Sequence, residues 1–125
     1  MRIATPFSPI EVGEVDYFVF DFTPDVGAAT IVSTSWTCAL GRYETAIDPI
    51  PQSRVLSVAP QTAIQVRSPV DGSLQTRMGE FSVGLIGGMP VSAADGTYIL
   101  EATANLSDGR VLKLNAMVQC KLPGS

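Results

Sequence analysis

The sequence predicts an all-β protein, a single antiparallel β-sandwich of about seven to eight strands over residues 1–125. Three observations carry that prediction. Apolar residues recur at every second position in five separate runs. Clusters rich in Gly, Pro and Asp separate those runs. No window carries a sustained helical stripe.

The first twelve residues, with Pro6 and Pro9, read as an extended arm or an edge strand. In VDYFVFDF (15–22), Phe18, Phe20 and Phe22 share one face, and Tyr17, Val19 and Asp21 the other. Thr23-Pro24-Asp25-Val26-Gly27 breaks this run from TIVSTSWTC (30–38), where Val32, Thr34, Trp36 and Cys38 are expected together. Between 41 and 53 the chain reads as loop, because Pro49-Ile50-Pro51 suits neither a helix nor a central strand. Short strands are expected at 54–58, 62–67 and 73–77, the last two joined by a turn at Asp71-Gly72. In 79–87, Phe81, Val83 and Leu85 alternate with Ser82 and Gly84. In 97–106, Tyr98, Leu100, Ala102, Ala104 and Leu106 alternate with Glu101, Thr103 and Asn105. In 110–120, Leu112, Leu114, Ala116 and Val118 alternate with Lys113, Asn115 and Gln119; Asp108-Gly109 is a hairpin signal between these two runs. The tail at 121–125 is expected to be loose. The expected core is Phe18, Phe20, Phe22, Trp36, Phe81, Tyr98, Leu100, Leu112 and Leu114.

Composition narrows the function. Hydrophobic residues make up 46% of the chain and charged residues 16%, which argues against disorder. The net charge is −4 and the eight basic residues are spread along the chain, so no basic patch for nucleic acid is in view. No stretch reaches the length of a membrane span, and the start lacks the apolar run of a signal peptide. The expectation is a protein made in the cytoplasm. Cys38 and Cys120 are read as two buried reduced thiols; a bridge between them would require Cα atoms within about 7 Å.

Catalytic chemistry finds little material. The chain has no His, which removes Ser-His and Cys-His activation and the usual structural zinc sites. Asp16, Asp21, Glu80 and Glu101 are the candidates for a paired-carboxylate site, yet alternation puts them on solvated faces, with Asp21 ambiguous. Asp21, Asp25 and Asp48 would have to converge from separate loops to hold calcium. Gly84-Leu85-Ile86-Gly87-Gly88 lacks the Lys and the following helix of a phosphate loop. No catalytic residue, metal site or cofactor is assigned.

Trp36 is read as core, where it would bury roughly 200 Å²; the alternative is an exposed platform for sugar. Asp95-Gly96-Thr97-Tyr98 resembles the tyrosine corner of immunoglobulin-like sandwiches, in which the phenol bonds back to nearby backbone. The alternative there is a surface Tyr after a turn. If the phenylalanines fill the core, Val15, Tyr17 and Val19 on the opposite face become candidates for a subunit contact. Tyr43, Ile47 and Ile50 in the proline-bearing loop are further candidates.

The order Pro9, Glu11, Val12, Asp16-Tyr17, FVFDF, the acidic turn at Asp25, Thr30-Ile31 and Ser35-Trp36 resembles the start of a family of tailed-bacteriophage fibre–tail adaptors. The later Asp-Gly-Thr-Tyr strand and Asp-Gly-Arg hairpin are similar to that family too. The clearest likeness covers 9–37 and a weaker one 80–118; 39–78 contributes none. The resemblance implies a non-enzymatic virion component, present in several copies, that links a fibre or similar appendage to other tail or fibre subunits. Other virion roles on the same sandwich are capsid decoration and head–tail joining. A bacterial immunoglobulin-like adhesion or sugar-binding module is a further alternative, and it would expose Trp36.

Overall fold

Alternating chains of this kind must bury one face of each strand, and here two four-stranded sheets do so against each other. The computed structural model describes residues 2–3, 7–41 and 47–123. In chain order the strands are β1 (Arg2–Ile3), β2 (Ile10–Glu11), β3 (Val15–Asp21), β4 (Ile31–Leu40), β5 (Val55–Arg67), β6 (Leu74–Gly87), β7 (Thr97–Leu106) and β8 (Val111–Lys121). The first sheet has the order β1-β3-β6-β5 and is strongly curled; the second has the order β2-β8-β7-β4. The long pairings β3–β6, β5–β6, β4–β7 and β7–β8 are antiparallel, while β1 and β2 lie parallel to β3 and β8.

The N-terminal stretch crosses from one sheet to the other. Ile3 pairs with Val19 in the first sheet, and Ile10 pairs with Cys120 in the second. Between them Phe7 is buried, its ring edge-on to Phe18 at 4.8 Å and to Phe20 at 5.2 Å. Such edge-to-face pairs contribute about 0.5–1.5 kcal/mol beyond area burial. The stretch supplies an edge strand to each sheet, one of the two expectations for it, and Phe7 and Ile10 are buried in the core as well.

The main core holds Phe18, Phe20, Phe22, Trp36, Tyr98 and Leu100, all buried, with Cys38, Ala102, Val118 and Cys120. Leu112 and Leu114, expected inside, are only partly buried and pack on its margin. Phe81 is buried elsewhere. It joins Val19, Ile64 and Val83 in a second cluster, with Val66 packed against it.

That second cluster follows from a bend in the long hairpin. The expected strands at 54–58 and 62–67 form one strand, β5, and those at 73–77 and 79–87 form another, β6. The pairing slips between Gln61 and Ala63, where Gln61 opposes Phe81 and Ala63 opposes Met78. The extra residue on β6 is a bulge, which bends and twists a ladder. It lies beside Gly79, where an added Cβ would collide with the Thr23 hydroxyl and the Phe81 ring. Beyond the bend, Ile64 and Arg77 share a pair, and Ile64 closes onto Val19, Phe81 and Val83.

Two expectations of facing are corrected. In β6 the residues toward Trp36 are Ser82 and Gly84, not Phe81 and Val83. In β4 a register shift between Ile31 and Ser33 puts Ile31 inside and leaves Val32 exposed. A one-residue bulge reverses parity, so Val32 does not join Trp36 and Cys38.

Turn chemistry follows the residues. Gly72 and Gly109 adopt positive φ in the two Asp-Gly turns, and Asp71 Oδ1 accepts from the Ser73 amide at 2.9 Å. The break after β3 is a single helical turn, α1 (Thr23–Val26), closed by Gly27 at positive φ. A 3₁₀ turn at Pro51–Arg54 leads into β5. Among the described residues no helix is long and apolar enough to cross a membrane.

Candidate interaction surfaces

The curl divides the outer face of the first sheet. At one end Val19 is enclosed by the second cluster, so it is no subunit contact. At the other end Val15 and Tyr17 are each 49% exposed, with Leu85 across from Tyr17. The start of β3, the end of β6 and the start of β5 meet at this end, where Val15 opposes Gly87 and Val55 opposes Ile86. Leu56, in the irregularity after Val55, and Ile50, just before the 3₁₀ turn, are also exposed. Ile47 is half-buried and packs on the core, while Tyr43 lies outside the described residues.

The segment around Ile50 is held by a buried ion pair. Asp48, fully enclosed, accepts from Arg54 Nε at 2.9 Å and Nη2 at 3.1 Å, from the Ile50 amide at 3.0 Å and from the Tyr98 hydroxyl at 2.6 Å. Arg54 Nη1 donates onward to the Gly88 carbonyl at 2.9 Å. Burial pushes the Asp48 carboxyl up, but the hydrogen bonds from Arg54, Tyr98 and Ile50 outweigh it, and its pKa lies below the ordinary aspartate value. Burial, and then the bond to Asp48, push the Tyr98 phenol up. The Tyr98 corner thus bonds to a distant carboxylate rather than to nearby backbone. Asp95 takes positive φ in the turn before it, donating its amide to the Cys120 carbonyl.

The neighbouring Gln52 covers part of an open sheet edge. Its Nε2 donates to the Trp36 carbonyl at 3.0 Å and its Oε1 accepts from the Cys38 amide at 2.9 Å. One side chain thereby imitates a partner strand along the free edge of β4. Farther along the same edge, toward Ile31, the space between β4 and β5 is an open groove of about 420 Å³, lined by Ile31, Pro60, Gln61, Thr62, Ala63 and Glu80.

The carboxylates considered for catalysis do not converge. Asp21 accepts from Arg77 at 2.8 Å and from the Thr23 amide. Glu80 Oε2 accepts from the Ile31 amide at 3.2 Å, Asp16 from the Tyr17 amide, and Glu101 lies on the other sheet facing Lys113. Asp48 has both oxygens engaged in its own network, apart from Asp21 and Asp25. No group of three or more metal-ligating side chains occurs among the described residues. Gly84 and Gly87 have packing roles, and Gly88 takes positive φ after β6. An added Cβ at Gly84 would lie 2.9 Å from the Trp36 ring, and one at Gly87 would collide with the Glu14 carbonyl and Val15. Arg54, Arg67, Arg77, Arg110 and Lys113 are each engaged, and they are dispersed over both sheets and their turns.

Both thiols are free and buried. Cys38 opposes Leu100, while Cys120 bonds to Gly96 on the far side of the same strand. Four residues along and two strand spacings across separate them by about 16 Å, well beyond the roughly 7 Å a disulfide spans. Burial, then the Asp48 charge, push the Cys38 thiol up to about 12.

Sequence reasoning missed the Asp48–Arg54–Tyr98 network and the groove. Asp48 had a visible signal, an isolated acidic residue before Pro-Ile-Pro, and Tyr98 stood out as a corner tyrosine, but no local pattern paired the two. A comparison with protein-family models, curated proteins and solved structures finds no match.

Proposed function

We propose that the chain is a non-enzymatic structural subunit of a tailed-phage virion, an adaptor linking a fibre or similar appendage to the tail, built on an immunoglobulin-like sandwich. The strand order supports the architecture. If β3, β6 and β5 stand for B, E and D, then β8, β7 and β4 stand for G, F and C, with β1 and β2 added in parallel beside B and G. The resemblance over residues 9–37 and 80–118 supports the phage identity.

The observation that carries the assembly role is the exposed apolar pair at one end of the first sheet, Val15 and Tyr17, with Leu56 exposed at the start of β5 on the other side of β6. Exposed apolar side chains on a sheet face are surface that a neighbouring subunit can bury. The enclosed Trp36, whose indole donates to Ser82, speaks against the sugar-platform reading.

The test is incorporation. Mass spectrometry of purified particles should find this chain beside tail and fibre proteins. A Val15→Ser, Tyr17→Ser double variant should still fold, with an unchanged far-ultraviolet circular dichroism spectrum, yet be depleted from particles at least fivefold. Its absence from particles, or full incorporation of the double variant, would sink the reading. Finding it on the capsid shell would favour decoration instead.

A further inference from the structure

The far half of the long hairpin has an uncovered edge. β3 pairs with β6 only from Phe81 to Gly87, so Leu74–Met78 pair with β5 alone. At the boundary the Phe22 amide donates to the Glu80 carbonyl, and Thr23 Oγ1 accepts from the Glu80 amide. There α1 turns the chain away from the sheet. Among the described residues no strand lies beside β6 from Met78 to Leu74, and all five residues of this stretch are exposed.

The ladder near the hairpin tip fixes which groups this edge presents. The Ser68 amide donates to the Ser73 carbonyl at 2.8 Å, in the register that pairs Val66 with Gln75 and Ile64 with Arg77. Hydrogen-bonded and non-hydrogen-bonded pairs alternate along an antiparallel ladder. Gln75 and Arg77 therefore bond to β5, while Leu74, Thr76 and Met78 turn their N–H and C=O groups to the open side. Edges are usually blunted by Pro, Lys or a covering group. Leu74–Met78 contains no Pro and no Lys, and no described side chain bonds along it as Gln52 does on β4. Its one charge, Arg77, is matched by Asp21 at 2.8 Å.

The stretch is complementary to itself. Set antiparallel about Thr76, Leu74 opposes Met78 of a second copy, Gln75 opposes Arg77, and Thr76 opposes Thr76. Leu74 and Met78, 60% and 69% exposed in the single chain, then cover each other. Thr–Thr pairs are favourable across strands, and like charges directly opposite are not. A register centred on Arg77 would oppose two guanidinium groups. We propose that Leu74–Met78 is a self-association edge: two copies join β6 to β6 about a two-fold axis at Thr76, and their hairpins form one four-stranded sheet. Five paired residues span about 17 Å. That is a small contact beside the roughly 800 Å² per partner of a stable interface, so the dimer is weak and reversible. The inference does not rest on the phage reading, and it uses a different surface from Val15 and Tyr17.

The test uses the full chain, in sedimentation equilibrium up to millimolar concentration and in hydrogen exchange over the same range. A monomer–dimer equilibrium is expected, with exchange at the Leu74, Thr76 and Met78 amides slowing as the dimer fills. Thr76→Pro removes an outward N–H that β5 does not use. It should leave the far-ultraviolet circular dichroism spectrum unchanged and raise the dissociation constant at least tenfold. Gln75→Glu, set against Arg77 of the other copy, should tighten the dimer at least threefold, and Gln75→Lys should weaken it by as much. Should Thr76→Pro fail to fold, the Gln75 variants decide. A chain monomeric at millimolar concentration, a dimer indifferent to the charge at Gln75, or protection confined to Val15 and Tyr17 would overturn the proposal. Protection of Leu74–Met78 that requires another protein would do so too, by making a foreign strand the occupant. A dimer formed through this edge by a chain that never enters particles would instead refute the assembly role and leave the edge standing.

Discussion

Tyr98 donates its phenol hydrogen to Oδ2 of Asp48 at 2.6 Å, tying the first residues of β7 to the segment that follows β4. Neither residue is accessible to water, and the carboxylate also binds both Arg54 nitrogens that face it. The bond fixes the proline-bearing stretch from Asp48 to Pro51 against the start of β7.

Removing Asp48 should therefore cost more than removing Tyr98's hydroxyl. Asp48→Ala leaves the Arg54 charge without its partner in a mostly enclosed site and should destabilise by about 3 kcal/mol or more. Tyr98→Phe removes one charge-assisted bond and should cost about 1.5–3 kcal/mol. The pH dependence follows the same carboxylate. Its folded pKa is depressed, so its stabilisation is complete above the unfolded aspartate value of about 3.9 and is lost as pH falls through the lower folded value. Denaturant melts from pH 7 to pH 2 should show that loss below pH ~4, and Asp48→Asn should flatten it.

Trp36 Nε1 donates to Ser82 Oγ at 2.7 Å, a bond between the two sheets inside the core. Ser82→Ala should strand the indole N–H and cost about 1–3 kcal/mol in urea melts. Gly84→Ala should cost a similar amount by overpacking the Trp36 ring. Native fluorescence should be blue-shifted and poorly quenched by acrylamide; strong quenching would contradict the packing.

The Thr34 hydroxyl is shut off from solvent with no hydrogen-bond partner among the described residues. A buried hydroxyl left unpaired costs about 1–3 kcal/mol. Thr34→Val keeps the shape and removes the polar atom, so it should raise stability by about 1 kcal/mol. A fall in the urea midpoint would show that the hydroxyl has a partner.

Cys38 and Cys120 should stay unreactive while the fold holds. Burial raises both thiols, so little thiolate is present at neutral pH. Aromatic-disulfide reagents should label neither in native buffer over minutes and both in denaturant. Reducing agent should leave the melting temperature unchanged, since the geometry allows no bridge.

Much of the second sheet was legible in the residues. Strict alternation in 97–106 and 110–120 and the Asp108-Gly109 turn specify β7, β8 and their hairpin, because one face is buried and one is wet. The candidate surfaces were half legible. Val15 and Tyr17 could be assigned outward from the Phe18–Phe22 pattern, but the exclusion of Val19 could not.

What the sequence determined by itself is the strand character, the turns and the inward march of Phe18, Phe20 and Phe22, since these rest on period two and on backbone conformations that only certain residues adopt. The tertiary structure alone decided how the long hairpin bends at Gly79, which gave Val19 and Phe81 a second core, and which strand end brings Tyr98 to Asp48. The bulged ladder and the Tyr98–Asp48 bond join segments distant in the chain. Their energies depend on who arrives opposite whom, and no local pattern records that.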